Sequence, residues 1–299
     1  MARNKIGFII NPTSGTKSKD ILPGLIHEIL DETRFEPKIK FTEFAGHGSK
    51  IARKMVKEGF DIVVAVGGDG TINEIAQALI HTNTALGIIP SGSGNGLARH
   101  LQIPLDFRGS IALLNTCRIS EIDYGTANDI VFVCPCGVGF DAHVGNQFAQ
   151  SKTRGFITYL KSIFGEFMKY KPKKYRFKTK DNKFTKRAFL VTFANASQYG
   201  NNAFIAPDAN IQDGKLDICI LQPFPAYKAV AIGWRLMNKK INESQNVTIL
   251  RTDEVSIKRK RRDVFHFDGE PCMMKKKITV KAHHRVLKVA VAEKSNLLL

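Results

Sequence analysis

The sequence predicts an α/β protein with an N-terminal doubly wound parallel-sheet domain and a C-terminal, mostly antiparallel β-sandwich domain. Over about the first 120 residues, strand-like and helix-like stretches alternate, which is typical of a parallel sheet with helices on both faces. After Ile119, short β-branched and aromatic runs follow one another with few helical stretches between them, which is typical of antiparallel sheets.

The size of the chain agrees with two domains. It has 299 residues, of which 43% are hydrophobic, and this supports a substantial core. We predict one domain from residues 1–121 with a C-terminal segment of about 286–299, and a second from residues 122–285. The sequence has no apolar run of about 18 residues and no signal-peptide layout, so no spanning helix is expected. Five scattered cysteines favour a reducing cytoplasm.

The first domain is predicted to contain four strands, each followed by a helix. The strands are Ile6–Ile10, Lys38–Phe44, Asp61–Val66 and Ala85–Pro90, and apolar residues at helical spacing predict helices near 22–29, 52–56, 72–79 and 97–101. The strand at Asp61–Val66 is apolar throughout, which indicates burial on both faces.

The second domain is predicted to begin with an antiparallel pair, Ile122–Thr126 and Ile130–Val138, joined by a turn at Asn128-Asp129. Further strands are predicted at Phe177–Thr179, Ala188–Ala194, Lys215–Leu221, Val247–Ile249, Val255–Lys258, Val264–Phe267 and Ile278–Val280, with helices over 156–167 and Ala226–Asn238. The alternating run Val286–Val291 could return to either domain.

Three loops rich in small residues follow strands of the first domain: Asn11–Gly15, Gly67–Asn73 and Ser91–Asn95. We expect them at one edge of the sheet, because ligands of such sheets bind at the carboxyl ends of the strands. A glycine turn between a strand and a helix presents free N–H groups to a phosphate, and Asp69 would suit a bridging Mg²⁺. Tight turns without a ligand are the alternative.

Several motifs occur in a fixed order along the chain. They are Asn11-Pro12-x-Ser14-Gly15, Gly67-Gly68-Asp69-Gly70-Thr71, Pro90-Ser91-Gly92-Ser93-Gly94-Asn95, Ile205-Ala206-Pro207-Asp208-Ala209 followed by Asp213-Gly214-Lys215-Leu216-Asp217, and Phe267-Asp268-Gly269-Glu270. Together they resemble the diacylglycerol kinase catalytic family, which includes sphingosine kinases and bacterial lipid kinases. The resemblance covers nearly the whole chain. It implies an ATP-binding α/β domain joined to a β-rich lipid-substrate domain, with ATP and Mg²⁺ as cofactors.

The resemblance also implies which residues contact the nucleotide. By motif they are Asn11, Thr42, Gly67, Gly68, Asp69, Gly70, Thr71, Ile72, Asn73 and Ser93. The third loop departs from the family's Gly-Thr-x-Asn-Asp pattern, because Ser93 replaces Thr and Gly96 replaces Asp. Ser93 keeps the hydroxyl, and the Gly-Ser-Gly-Asn form looks closer to the sphingosine kinases.

We expect three acidic residues to carry the chemistry. Phosphoryl transfer to a hydroxyl needs a proton acceptor, and Asp268 is the expected general base. Glu270 is expected to bind Mg²⁺ or help to hold the nucleotide, and Asp69 is the rival base or a metal ligand. The alternative for Asp268-Gly269 is an ordinary hairpin turn.

A second metal site is suggested by the resemblance in the loop after Ala209. A structural Mg²⁺ there would take Asp213 and the carbonyls of Asn210 and Lys215, whereas a plain turn at Asp213-Gly214 is the alternative. Asp123 is expected to be a solvated loop residue, although contact with the acceptor hydroxyl is left open. His283-His284 is expected in an exposed polar turn.

The formal net charge of +18 indicates an anionic partner. Basic clusters lie at Lys169–Arg187, Lys258–Arg262 and Lys275–Lys277, and the first of them also contains Tyr170, Tyr175, Phe177 and Phe184. Mixed basic and aromatic residues suit an anionic membrane surface or RNA. For a lipid kinase we expect peripheral contact with the inner membrane face and no nucleic acid. A solvated charged surface is the alternative.

The leading functional hypothesis is an ATP-dependent lipid kinase that phosphorylates a hydroxyl of diacylglycerol or a sphingoid base. NAD kinases also carry Gly-Gly-Asp-Gly-Thr, but an Asn-Glu pair at a position suited to their ribose is absent from the sequence. A non-catalytic basic protein that binds membranes or RNA is the third hypothesis. The sequence decides neither the acceptor lipid nor the oligomeric state, for which a homodimer is one option.

Overall fold

A computed structural model describes residues 3–15, 18–150 and 165–293, without the side chains of 148–150. The chain forms two compact units, Met1–Asp123 with His284–Leu299, and Tyr124–His283. Most of the helix predicted over 156–167 lies outside the described residues. The helical residues 165–169 are its only described part.

The first unit alternates strands and helices along the chain. Its elements are β1 (Asn4–Ile10), α1 (Leu22–Ile29), β2 (Phe35–Phe41), α2 (His47–Lys57), β3 (Ile62–Gly67), α3 (Asp69–Leu79), β4 (Ala85–Pro90), α4 (Gly96–His100), α5 (Phe107–Asn115) and the first part of β5 (Arg118–Ala127). The four strands β1 to β4 form a parallel sheet in the order β2-β1-β3-β4.

Helices cover both faces of this sheet. On one face, α1 and α5 pack on alternate residues of β1 and β3, including Phe8 and Val64. On the other face, α2 brings Met55 so close to Gly7 that a Cβ at Gly7 would lie 2.4 Å from the Met55 sulfur. The helix α5 was not predicted from the sequence, although Asp106 caps it by accepting a hydrogen bond from Gly109 N at 2.7 Å.

The second unit is built mainly from strands. Its elements are the rest of β5, β6 (Ile130–Phe132), β7 (Pro135–Gly139), α6 (Phe140–Gln150), α7 (165–169), β8 (Lys173–Lys178), β9 (Lys183–Ala188), β10 (Leu190–Ala194), β11 (Leu216–Leu221), α8 (Ala229–Met237), β12 (Val247–Thr252), β13 (Glu254–Lys258), β14 (Asp263–Phe267), β15 (Glu270–Met274) and the first part of β16 (Lys277–Val291). Single 3₁₀ turns lie at Ala226–Lys228 and Ile241–Glu243.

Two layers of antiparallel strands enclose the core of the second unit. One layer has the order β12-β11-β10-β7-β14-β15, and the other contains β9, β8, β13 and the first part of β16. Side chains from both layers, such as Phe193, Phe265, Phe177 and Ile257, form one buried cluster. The predicted fold class, a parallel α/β domain followed by an antiparallel β-sandwich, is confirmed.

Several predicted boundaries are wrong in informative ways. The strand predicted over Ile130–Val138 is divided, because β6 pairs with β5 whereas β7 pairs with β10 in the other layer. The strand predicted at Lys38–Phe44 begins at Phe35, and Pro37 is accommodated because β2 is an edge strand. The helix α6 and the strands β9 and β15 were not predicted.

The prediction for Asp123 is also wrong, and the prediction for the two histidines holds only for the exposure of His284. Asp123 is fully buried in β5 and accepts a hydrogen bond from Arg285 N at 2.7 Å. The residues His283 and His284 lie in β16 rather than in a turn, and the His283 ring stacks on Tyr124 at 4.5 Å. In the part of the chain that the structure describes, no helix is long and apolar enough to cross a membrane.

Candidate functional site

The carboxyl ends of the parallel strands bring the predicted loops of the first unit together. Asn11 follows β1, and its N–H donates to Val66 O of β3 at 3.0 Å. Thr42 follows β2 and donates its N–H to Ile10 O at 2.9 Å. Ser91 follows β4 and donates its N–H to Gly67 O at 2.7 Å. The loops therefore share one edge of the sheet, as expected.

Glycine is required here because the loops approach one another backbone to backbone. A Cβ at Gly92 would lie 2.5 Å from Gly68 Cα, and a Cβ at Gly15 would lie 2.2 Å from Ser91 O. Gly15 also has a φ of +62°, which favours glycine. Part of the glycine requirement is thus explained by packing between loops, before any ligand is considered.

Asp69 connects the second loop, Gly67–Asn73, to the third loop, Ser91–Asn95, through hydrogen bonds. Its two carboxylate oxygens accept hydrogen bonds from Asn95 N at 2.8 Å and Gly96 N at 2.7 Å. Burial raises the pKa of Asp69 above its ordinary value, and these N–H groups oppose the rise. Asp69 is also the first residue of α3, whose N-terminus favours negative charge.

The other predicted nucleotide contacts differ in their accessibility. Asn11 Nδ2 donates to Thr71 Oγ1 at 2.9 Å, which joins the first loop to the second. Ser93 is exposed and Thr42 is half-buried. By contrast, Ile72 is fully buried and its N–H donates to Gly68 O, and the Asn73 side chain is buried and bonded to Gln77.

One polar group at this edge was not predicted. The Ser91 hydroxyl is buried and has no hydrogen-bond partner in the described part of the chain. A buried hydroxyl without a partner is costly, and its position beside the glycine contacts makes it a candidate ligand group.

In the second unit, Asp268 lies at the tip of the hairpin between β14 and β15. Asp268 and Gly269 have φ values of +46° and +88°, as in the tight two-residue turns typical of Asp-Gly. The Asp268 side chain is buried, and its two oxygens accept hydrogen bonds from Val133 N at 3.0 Å and Cys134 N at 2.7 Å. Asp268 is therefore part of a hairpin turn, and its carboxylate is also held in place by two hydrogen bonds. Glu270, the first residue of β15, is exposed.

His266, two residues before Asp268, belongs to a buried polar network that was not predicted from the sequence. Asp141 Oδ2 is 3.0 Å from His266 Nε2 and accepts a hydrogen bond from Tyr199 Oη at 3.0 Å. Burial and the Asp141 charge raise the pKa of Tyr199 well above its ordinary value. Because His266 belongs to β14, this network fixes the strand that carries Asp268.

The loop predicted to bind a structural metal, residues 210–215, contacts Arg251. Asp213 Oδ1 accepts a hydrogen bond from Lys215 N at 3.0 Å, and Asp213 Oδ2 lies 3.8 Å from Arg251 Nη1. Arg251 also donates to both oxygens of Asp217 at 2.9 and 3.3 Å. Asn210 Oδ1 accepts a hydrogen bond from Gln212 N. The described residues contain no group of three or more His, Cys, Asp or Glu that could hold a metal.

We expect Arg251→Gln to destabilise the protein by about 2 kcal/mol at neutral pH, because it leaves the buried Asp217 carboxylate without its partner. Burial raises the pKa of Asp217 above its ordinary 3.8, and Arg251 opposes that rise. Without Arg251 the pKa rises further, so the loss of stability should grow as the pH increases above about 4. Urea unfolding at several pH values measures this, and a loss that is independent of pH would contradict the explanation.

The basic clusters are only partly available to a partner. Tyr175 and Phe177 of the first cluster are buried in the core, so the expectation that these rings face a partner is wrong. In the second cluster, Arg259 is buried and donates to the carbonyls of Val264, Asp263 and Met274. Burial lowers the pKa of Arg259. The alternating lysines of β8 and β9 remain exposed or half-buried.

Comparison with known proteins agrees with this architecture. Residues 5–127 match the diacylglycerol kinase catalytic domain, and residues 135–291 match the YegS C-terminal NAD kinase beta sandwich-like domain. A probable lipid kinase YegS-like protein of Chromohalobacter salexigens is 29% identical over 78% of this chain and 77% of its own. A diacylglycerol kinase of Staphylococcus saprophyticus is 27% identical over 74% of this chain and 73% of its own.

Solved structures show the same fold. The crystal structure of a putative diacylglycerol kinase from Bacillus anthracis has a TM-score of 0.80 at 18% identity, covering 98% of this chain and 96% of that chain. The two domain matches together leave only short segments of the sequence unmatched. The chain belongs to the diacylglycerol and lipid kinase family, whose members are phosphotransferases with an alcohol group as acceptor.

Proposed function

We propose that the protein is an ATP- and Mg²⁺-dependent lipid kinase, which transfers the γ-phosphate to a hydroxyl of a membrane lipid such as diacylglycerol or a sphingoid base. The observation that supports this most directly is the meeting of three loops at one sheet edge, where Asp69 joins the second loop to the third and Asn11 joins the first to the second. Backbone that packs this closely, beside the N-terminus of α3, suits a polyphosphate.

In this proposal the predicted first domain, residues 1–121 with about 286–299, binds ATP. Asn11, Thr42, Gly67, Gly68, Gly70, Thr71 and Ser93 would hold the nucleotide, with Ser91 as an added candidate, whereas Ile72 and Asn73 would support the loop from inside. When bound, Mg²⁺ would neutralise charge on the phosphates. Asp69 would offer the cation a carboxylate, the type of oxygen ligand that Mg²⁺ prefers, although its oxygens already accept hydrogen bonds from Asn95 N and Gly96 N.

The predicted second domain, residues 122–285, would bind the lipid, and Asp268 would take the proton from the acceptor hydroxyl. Its two backbone hydrogen bonds would hold the carboxylate in a fixed position for this role. Glu270, which is exposed and lies two residues after Asp268, would bind Mg²⁺ or help to hold the nucleotide. The exposed basic residues would favour a peripheral position on the anionic inner face of the membrane.

The test is phosphate transfer from radiolabelled ATP with total lipid extract or with NAD as the acceptor. We expect labelled lipid and no labelled NAD, and transfer should stop when EDTA removes Mg²⁺. Labelled NAD would instead support the NAD kinase hypothesis. Absence of any transfer, together with tight binding to RNA or vesicles, would support the non-catalytic hypothesis.

A structural Mg²⁺ at Asn210, Asp213 and Lys215 is a separate proposal. The Arg251 guanidinium already brings a positive charge within 3.8 Å of Asp213, so a metal would have to share this carboxylate. Thermal unfolding of the wild type and of Asp213→Asn, each with Mg²⁺ and with EDTA, distinguishes the two cases. A melting temperature of the wild type that does not change with EDTA would exclude a stabilising metal in this loop.

A further inference from the structure

The helix α8 exposes an apolar face that the proposed function has not used. Tyr227, in the preceding 3₁₀ turn, and Val230, Trp234 and Met237 of α8 are 78, 82, 56 and 49% exposed. Their spacing of three, four and three residues places them on one side of the helix. Single exposed apolar residues are common in proteins, but four of them on one face form a patch that needs an explanation.

The opposite side of α8 is apolar too. Ile232 and Leu236 pack against a buried cluster of the second unit that includes Phe189 and Leu221. A helix that is apolar on both sides is expected to be covered on both sides. The exposed side of α8 therefore has the composition of a binding surface.

The charges around this face are positive. Residues 222–240 contain Lys228, Arg235, Lys239 and Lys240 and no Asp or Glu. The Lys240 Nζ lies 6.0 Å from the centre of the Trp234 ring, so a cation stands beside the patch. Arg235 is half-buried and 3.6 Å from Glu243, and it contributes least to the surface charge.

We propose that this face, Tyr227 with Val230, Trp234 and Met237, docks the protein onto an anionic lipid bilayer. Trp and Tyr favour the interface between lipid and water, and neighbouring lysines attract anionic headgroups. The helix would lie in the plane of the membrane, as short amphipathic helices do. A second copy of the chain fits less well, because two identical basic faces would repel each other.

This inference extends the proposed function by assigning the surface that brings the enzyme to a lipid acceptor. Its test is independent of phosphate transfer. Binding to vesicles is measured without ATP, and transfer is measured with a water-soluble short-chain diacylglycerol, for which docking is not needed. Failure of the proposed kinase activity and failure of docking are therefore distinguishable.

Trp234 is the only tryptophan of the chain, so its fluorescence reports on this face directly. Addition of phosphatidylcholine–phosphatidylglycerol vesicles should shift the emission to shorter wavelength, and brominated lipid should quench it. Phosphatidylcholine alone should bind more weakly, and salt should weaken binding to the mixed vesicles.

The variant Val230→Glu should lower vesicle affinity at least about tenfold, because it places a carboxylate in the apolar contact. Transfer to the short-chain diacylglycerol should be unchanged. The matched control is Ile21→Glu, which makes the same change at a 60% exposed residue of the first unit and should keep full vesicle binding.

Three results would overturn the proposal. They are an emission spectrum of Trp234 that does not respond to anionic vesicles, equal vesicle binding by Val230→Glu and the wild type, and equal losses in both glutamate variants. Sedimentation of the wild type as a dimer that Val230→Glu converts to a monomer, without vesicle binding, would assign the face to a second copy.

Discussion

Asp268→Asn should reduce kcat for lipid phosphorylation by about a thousandfold, because a general base typically contributes about 10² to 10⁴ to the rate. ATP affinity should be unchanged, since Asp268 belongs to the second unit and the glycine loops belong to the first. Turnover of labelled ATP and direct titration of nucleotide binding measure the two effects separately.

The substitution also has a structural cost that the experiment must separate from the chemical one. The two Asp268 oxygens accept hydrogen bonds from Val133 N and Cys134 N, and an asparagine has only one oxygen for these two donors. The loss of one such bond should destabilise the protein by about 1–3 kcal/mol. Thermal unfolding of the variant shows whether it remains folded at the assay temperature.

A control for the structural cost of Asp268→Asn is Asp106→Ala. The Asp106 carboxylate likewise accepts a backbone N–H, from Gly109, but it caps α5 and has no proposed part in the reaction. We expect Asp106→Ala to lose about 1 kcal/mol of stability and keep its turnover. Turnover by Asp268→Asn within a few-fold of the wild type would exclude Asp268 as the base, and Asp69, the rival base, would be the next candidate.

The sequence correctly predicted that the glycine loops meet at one edge of the sheet, because that arrangement depends on local patterns. A buried strand followed by a glycine turn places each loop at the carboxyl end of the sheet, and parallel strands bring such ends together. The sequence also predicted the Asp268 turn, since Asp-Gly between two β-runs is a strong hairpin signal. In each case neighbouring residues contain the information.

The partners of these residues could not be predicted in the same way. Asp217 and Arg251 are 34 residues apart, and Asp141 and His266 are 125 residues apart. Asp217 and Arg251 meet because β11 and β12 pair in register, and Asp141 meets His266 because α6 packs on β14. One sequence specifies neither of these arrangements. The division of Ile130–Val138 between two layers has the same origin, because local alternation does not reveal which strand is the partner.

Burial of polar residues was the least predictable property. Asp123 has the sequence context of a loop residue, yet it is fully buried because β16 supplies the N–H of Arg285. Arg259 lies within a run of basic residues and is nevertheless buried, because three backbone carbonyls accept hydrogen bonds from its guanidinium. A run of charged residues therefore indicates an exposed surface only approximately, because single residues of the run can be buried and hydrogen-bonded inside the fold.

Gly92→Ala tests whether the glycine contacts at the sheet edge serve the nucleotide. The new Cβ would lie 2.5 Å from Gly68 Cα and 3.0 Å from Asn95 Oδ1, so the second and third loops would have to separate. We expect a loss of about 1–3 kcal/mol in the free energy of unfolding, as in other overpacked sites. The KM for ATP should rise about tenfold or more, because N–H groups at both loops would shift.

Two further glycine-to-alanine variants, which create a smaller steric conflict or none, test this prediction more strictly. Gly68→Ala places its Cβ 3.2 Å from Gly92 Cα, so a small adjustment should relieve the contact and the KM should rise less. Gly24→Ala is the control, because its Cβ meets no atom within 4 Å and alanine favours the helix α1. It should be neutral or stabilise by up to about 1 kcal/mol without changing the KM.

The order of the three variants distinguishes a nucleotide site from a purely structural turn. If the loops hold phosphate, the KM for ATP should rise in the order Gly24→Ala, Gly68→Ala, Gly92→Ala, whereas kcat at saturating ATP should change little in any variant that stays folded. If the loops only pack against each other, stability should fall in the same order while ATP affinity stays constant. That second pattern would contradict the assignment of this edge as the nucleotide site.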